Sequence, residues 1–62
     1  MTDKDYWTIK AMKKFGGGFV KALGEACSHA DPNNLAIIKS AFHKYWQQYE
    51  SMGISLHAQE NR

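Results

Sequence analysis

Ala30-Asp31-Pro32-Asn33-Asn34 is the stretch on which the fold turns. Asp31 is a strong helix N-cap, and Pro32 suits the first helical position because its missing N–H leaves no donor unpaired there. The same ring disfavours helical geometry at Asp31, so a preceding helix is expected to stop near Ala30. Pro32 is the only proline among the 62 residues, so this punctuation falls once and divides the chain into two arms.

C-terminal to it, Leu35, Ile38, Phe42, Tyr45, Tyr49 and Met52 step by three and four, the spacing of one helical stripe. Ser40, His43, Lys44, Gln47 and Ser51 fall opposite. Gly53 is placed to cap such a helix, with Ile54 folding back on Tyr49. The pattern predicts a helix from about Pro32 to Met52, roughly 30 Å long at about 1.5 Å per residue. Residues 55–62 carry little apolar content and read as a flexible C-terminal tail beyond a single domain of residues 1–54.

N-terminal to it, Ile9, Met12, Phe19, Leu23, Ala26 and Ala30 share a stripe if the helix is continuous, flanked by Phe15, Ala22 and Cys27. Gly16-Gly17-Gly18 interrupts that stripe. Three glycines inside a helix cost roughly 2–3 kcal/mol relative to alanines. Met12 and Phe19 nonetheless lie one heptad apart, so the apolar phase survives the glycines. The preserved phase favours one continuous or kinked helix from about Asp3 to Ala30 over two separate ones. The expected fold is therefore all-α: an antiparallel helical hairpin, kinked or broken at Gly16–Gly18 if glycine entropy prevails. Its core is expected to hold Ile9, Met12, Phe19, Leu23, Ala26, Leu35, Ile38, Phe42, Tyr45 and Tyr49.

A chain this short builds a small core, and two helices leave their stripes half covered. Pairing of hairpins into a helical bundle would cover them, so a homodimer or higher homo-oligomer is expected. Cys27 is the only cysteine, which excludes an intrachain disulfide and argues for a reducing, cytoplasmic setting. No apolar run approaches the roughly 20 residues of a membrane span, and the acidic start lacks the order of a signal peptide.

Catalytic chemistry is hard to assemble from these residues, and no enzymatic activity and no cofactor are expected. Cys27 and His29 point about 160° apart on a helix, and Cys27 reads as a small buried hydrophobe. His29, His43 and His57 match no zinc spacing and read as solvated, so no metal is expected. Lys13-Lys14-Phe15-Gly16-Gly17-Gly18 is not a phosphate loop, since its lysines precede the glycines and no Lys-Ser or Lys-Thr follows.

The net charge of +2 is unevenly spread: residues 1–21 hold five lysines and two acids, and no acid lies between Lys10 and Lys21. On a continuous helix Trp7, Lys10, Lys14, Gly18 and Lys21 line one face, where a tryptophan and three lysines suit a nucleotide or nucleic acid. Ile37 points to the polar side of the second arm and Trp46 to its margin, positions suited to a protein interface.

The runs Lys13–Gly17, Phe19–Leu23, Ala30–Asn33, Ile38–Phe42 and Tyr45–Glu50 resemble a class of short helical proteins of tailed bacteriophages and prophages. The likeness spans about two thirds of the chain, with Gly18 and His43 standing where serine and proline are more usual. It implies a bacterial host cytoplasm as the setting and assigns no site residue. Together with the lack of catalytic groups, it favours a non-enzymatic interaction protein that binds or inhibits a host protein. The alternative is nucleotide or nucleic-acid binding through Trp7, Lys10, Lys14 and Lys21.

Overall fold

Thr2 starts the first helix. Its Oγ1 accepts the N–H of Asp5 at 3.1 Å and the Asp5 carboxylate accepts the N–H of Thr2 at 3.4 Å, a reciprocal cap that satisfies two otherwise orphaned donors. Four helices follow in the computed structural model, which describes residues 2–60: α1 Asp3–Phe15, α2 Gly18–His29, α3 Pro32–Ala41 and α4 His43–Glu60. The all-α class is as expected, but each predicted long helix is two.

The first arm breaks at Gly16 and Gly17, so the continuous helix favoured by phase does not form. Both glycines are extended, with φ near −72° and −73°, so the break does not use the left-handed region. Space requires Gly16 instead: a Cβ there would stand 2.5 Å from the Met12 carbonyl oxygen and 2.6 Å from Val20 Cγ1. α2 turns back so tightly that Val20, absent from the expected core, becomes buried.

The Asp31-Pro32 junction lies where the sequence places it. α2 ends at His29 with Ala30 as its C-cap, Asp31 Oδ1 accepts the Asn34 N–H at 2.7 Å, and Pro32 opens α3. The second arm then bends at Phe42, where φ is −115° and ψ is 42°. This one-residue bend rotates the buried stripe of α4 from the expected Tyr45, Tyr49 and Met52 to Trp46, Tyr49, Gly53 and Leu56.

Gly53 is not a C-cap but lies inside α4. A Cβ there would stand 2.7 Å from the Trp7 carbonyl oxygen and 2.9 Å from the Thr8 nitrogen, so glycine lets α4 approach the α1 backbone directly. Ser55–Glu60, expected as tail, continue the helix with Leu56 only 2% exposed, and Ile54 faces outward rather than folding back. Residues 61 and 62 of the expected tail lie outside the described residues.

α1 packs against both α4 and α2, with fewer contacts joining α3 to its neighbours. Lys4 pairs with Glu50 at 3.5 Å and Lys10 with Glu60 at 2.9 Å; the numbers rise together, so α1 and α4 run parallel. A simple antiparallel hairpin of two arms does not produce that pairing. The core gathers Ile9, Ala11, Met12, Val20, Cys27, Leu35, Trp46, Tyr49 and Leu56. Of the expected core, Leu23, Ile38 and Phe42 are half-buried, Ala26 is exposed, and Phe19 and Tyr45 are 56% and 41% exposed. The radius of gyration is 10.7 Å, against about 10.6 Å for a compact domain of this length. α1 is covered by α2 and α4 of the same chain.

Candidate functional site

The residues expected to form one basic face are divided by the glycine break. Trp7, Lys10 and Lys14 stay on α1, while Gly18 opens α2 and Lys21 is exposed on it. Trp7 and Lys10 are in contact. The Lys10 ammonium lies 4.7 Å from the Trp7 ring centroid, and His57 of α4 stacks on Trp7 at 4.5 Å and 11°. His57, expected in a solvated tail, is thus a packing partner between α1 and α4. The bond between Lys10 and Glu60 raises the lysine pKa and lowers that of the carboxyl. Lys14 lies 5.7 Å from the Phe15 ring centroid. Trp7 is therefore half-buried beneath His57 and Lys10 rather than open for a base.

The second expected surface also divides. Ile37 is exposed, at 63%. Trp46, expected at the margin, is 5% exposed because the bend at Phe42 turns it inward. Its indole N–H finds no acceptor there, while Lys39 lies 5.2 Å from the ring centroid.

Cys27 is fully buried, and burial pushes its thiol pKa up, which suits a packing residue rather than a nucleophile. Among the described residues no three His, Cys, Asp or Glu side chains converge as a metal site. None of the described helices is long and apolar enough to cross a membrane.

Two features are completed only by the fold. Phe19, Phe42 and Tyr45 meet at the surface with ring centroids 5.7–6.4 Å apart, within the range of favourable aromatic pairs. A shallow hollow of about 390 Å³ beside them is lined by Ala41, Phe42, His43, Lys44 and Tyr45. The continuous-helix pattern assigns all three rings to the core, which conceals this surface.

The other is a groove of about 420 Å³ between α1 and α2, lined by Tyr6, Ile9, Lys10, Lys13 and Ser28. Tyr6, Lys10 and Lys13 are spaced by four and three, which places them on one face of α1 and is visible in the sequence. Ser28, which closes the groove, comes from a helix that only the fold brings there.

Comparison with known proteins finds no matching family model, no matching curated protein and no matching solved structure.

Proposed function

We propose that this chain is a non-enzymatic interaction protein that binds, and by binding blocks or redirects, a bacterial host protein in the cytoplasm of a phage-infected or lysogenic cell. The observation that carries this is the surface cluster of Phe19 and Tyr45, both exposed, around the half-buried Phe42. Phe19 and Tyr45 are left facing solvent, packed against Phe42, in a protein with few apolar residues to spare. Clustered exposed aromatics mark interfaces far more strongly than scattered ones do. The phage setting comes from the sequence resemblance alone.

A homo-oligomer is the second assembly we propose, since the same rings suit a second copy. Lys44 lines the hollow beside them, and two-fold pairing of this end would bring the two copies of its ammonium group together. That disfavours self-association here relative to a foreign partner with acidic groups at its rim. The alternative function, nucleotide or nucleic-acid binding through Trp7, Lys10, Lys14 and Lys21, draws less support because Trp7 is covered.

The test is affinity capture from bacterial lysate with the wild-type chain and with a Phe19→Ser/Tyr45→Ser variant. The expected result is one reproducible host protein that the variant loses while keeping its helical circular dichroism. Equal capture by both chains, or no enriched protein, removes the aromatic surface from the function. Light scattering at micromolar concentration separates the assemblies, because self-association through the rings would also be lost in the variant.

A further inference from the structure

The α1/α2 groove has a different chemistry from the aromatic surface and stands independently of the host-protein proposal. Ile9, only 4% exposed, belongs to its apolar lining, and Tyr6, 50% exposed, contributes an aromatic ring. Lys10, Lys13 and Ser28 add two ammonium groups and a hydroxyl, and none of the five lining residues is acidic. Its volume of about 420 Å³ falls within the range of roughly 300–1,000 Å³ typical of small-ligand sites, which pair apolar walls with a few placed polar groups.

The polar groups are tied to partners within the chain. Lys13 Nζ donates to Ser28 Oγ at 3.4 Å, and Ser28 Oγ donates to the Gly24 carbonyl at 3.1 Å. Lys10 is held by Glu60 at 2.9 Å and Lys13 lies 3.6 Å from Glu25. Both carboxylates belong to residues outside the lining, and both pairs are open to solvent, so they resist displacement weakly. Each ammonium carries three donors, so it is able to bond a second anion without releasing the first.

We propose that this groove binds a nucleoside phosphate, with the phosphate oxygens taken by Lys10 and Lys13, the Ser28 hydroxyl holding Lys13 in place, and the base laid against Tyr6. Two positively charged donors on one helix face define the anion end, and the aromatic ring defines the other. A free mononucleotide and the phosphorylated 5′ end of a strand share this chemistry.

The test is a two-dimensional amide NMR titration of the full chain with four probes: adenosine monophosphate, inorganic phosphate, and a hexanucleotide with and without a 5′-phosphate. The expected shifts map to residues 6–13 and 24–28 and saturate with the mononucleotide or with the phosphorylated strand. Saturation by the mononucleotide assigns a free ligand, and saturation by the phosphorylated strand alone assigns a strand terminus. Lys13→Gln is expected to weaken binding about tenfold, the loss of one charge-assisted hydrogen bond, and Ser28→Ala to weaken it less. Phe19→Ser is expected to leave binding unchanged, which separates this site from the aromatic surface. No saturable shift with any probe overturns the proposal, as do shifts mapping elsewhere. Inorganic phosphate binding as tightly as the mononucleotide overturns the role of Tyr6 and leaves only an anion site.

Discussion

At the scale of single residues, the glycines divide by what surrounds them rather than by backbone geometry, since no described residue has positive φ. Gly18 opens α2 with nothing within 4 Å of where a Cβ would sit, whereas a Cβ at Gly53 would meet the α1 backbone at 2.7 Å. Gly18→Ala is therefore expected to stabilise the fold by about 0.4–1 kcal/mol, chiefly by restricting the unfolded chain. Gly53→Ala gains up to about 1 kcal/mol of helix propensity, but the clash with backbone costs roughly 1–3 kcal/mol, so a net loss is expected. Urea unfolding followed by circular dichroism checks both signs. A stabilising Gly53→Ala would show that α1 and α4 are free to move apart. None of this distinction is legible in the sequence, where Gly53 looks like the better terminator and the glycine triplet looks uniform.

At the scale of helices, the ties between elements rest on few polar contacts, of which Asp5 makes the most consequential. Its carboxylate caps α1 through Thr2 and accepts Lys39 Nζ of α3 at 3.0 Å. Burial pushes the Asp5 pKa up, but the bonds from Lys39 and Thr2 outweigh it and hold the carboxyl below its ordinary value. A depressed carboxyl pKa contributes stability above the unfolded-state value of about 3.9 and loses it as pH falls through the folded-state value. Asp5→Asn is expected to cost roughly 1 kcal/mol at pH 7, discounted because Lys39 is partly solvated. The gap between wild type and variant should close as pH drops below the carboxylate range. Paired urea titrations at neutral and acid pH measure this, and a gap that persists at low pH would place the contribution in packing instead. The cap at Asp31-Pro32 is legible in the sequence because it is local: donor, acceptor and ring lie within four residues. The pairing of Asp5 with Lys39 is not, because 34 residues separate them.

At the scale of the whole molecule, the last turns of α4 complete the core. Leu56→Ala is expected to cost about 2–5 kcal/mol, a large part of the roughly 3–5 kcal/mol available to so small a domain. Truncation after residue 54 should then abolish the cooperative thermal transition, whereas Phe19→Ala, at an exposed ring, should lower the melting temperature much less. Circular dichroism melts of the three variants decide it, and an undiminished transition in the truncated chain would show that α4 ends energetically at Gly53. The sequence by itself determined the all-α class, the junction at Asp31-Pro32, the burial of Cys27 and four core positions, Ile9, Met12, Leu35 and Tyr49. Each follows from local capping or from a periodicity that survives within one helix. The tertiary structure alone decided that both arms break, that α1 and α4 run parallel, and that Trp46 and Leu56 turn inward while Phe19 and Tyr45 turn out. The physical reason is that periodicity records which residues share a face only while the helix continues. A one-residue bend at Phe42, or two extended glycines, resets the phase, and the energy that selects the reset lies in contacts between residues far apart in the chain.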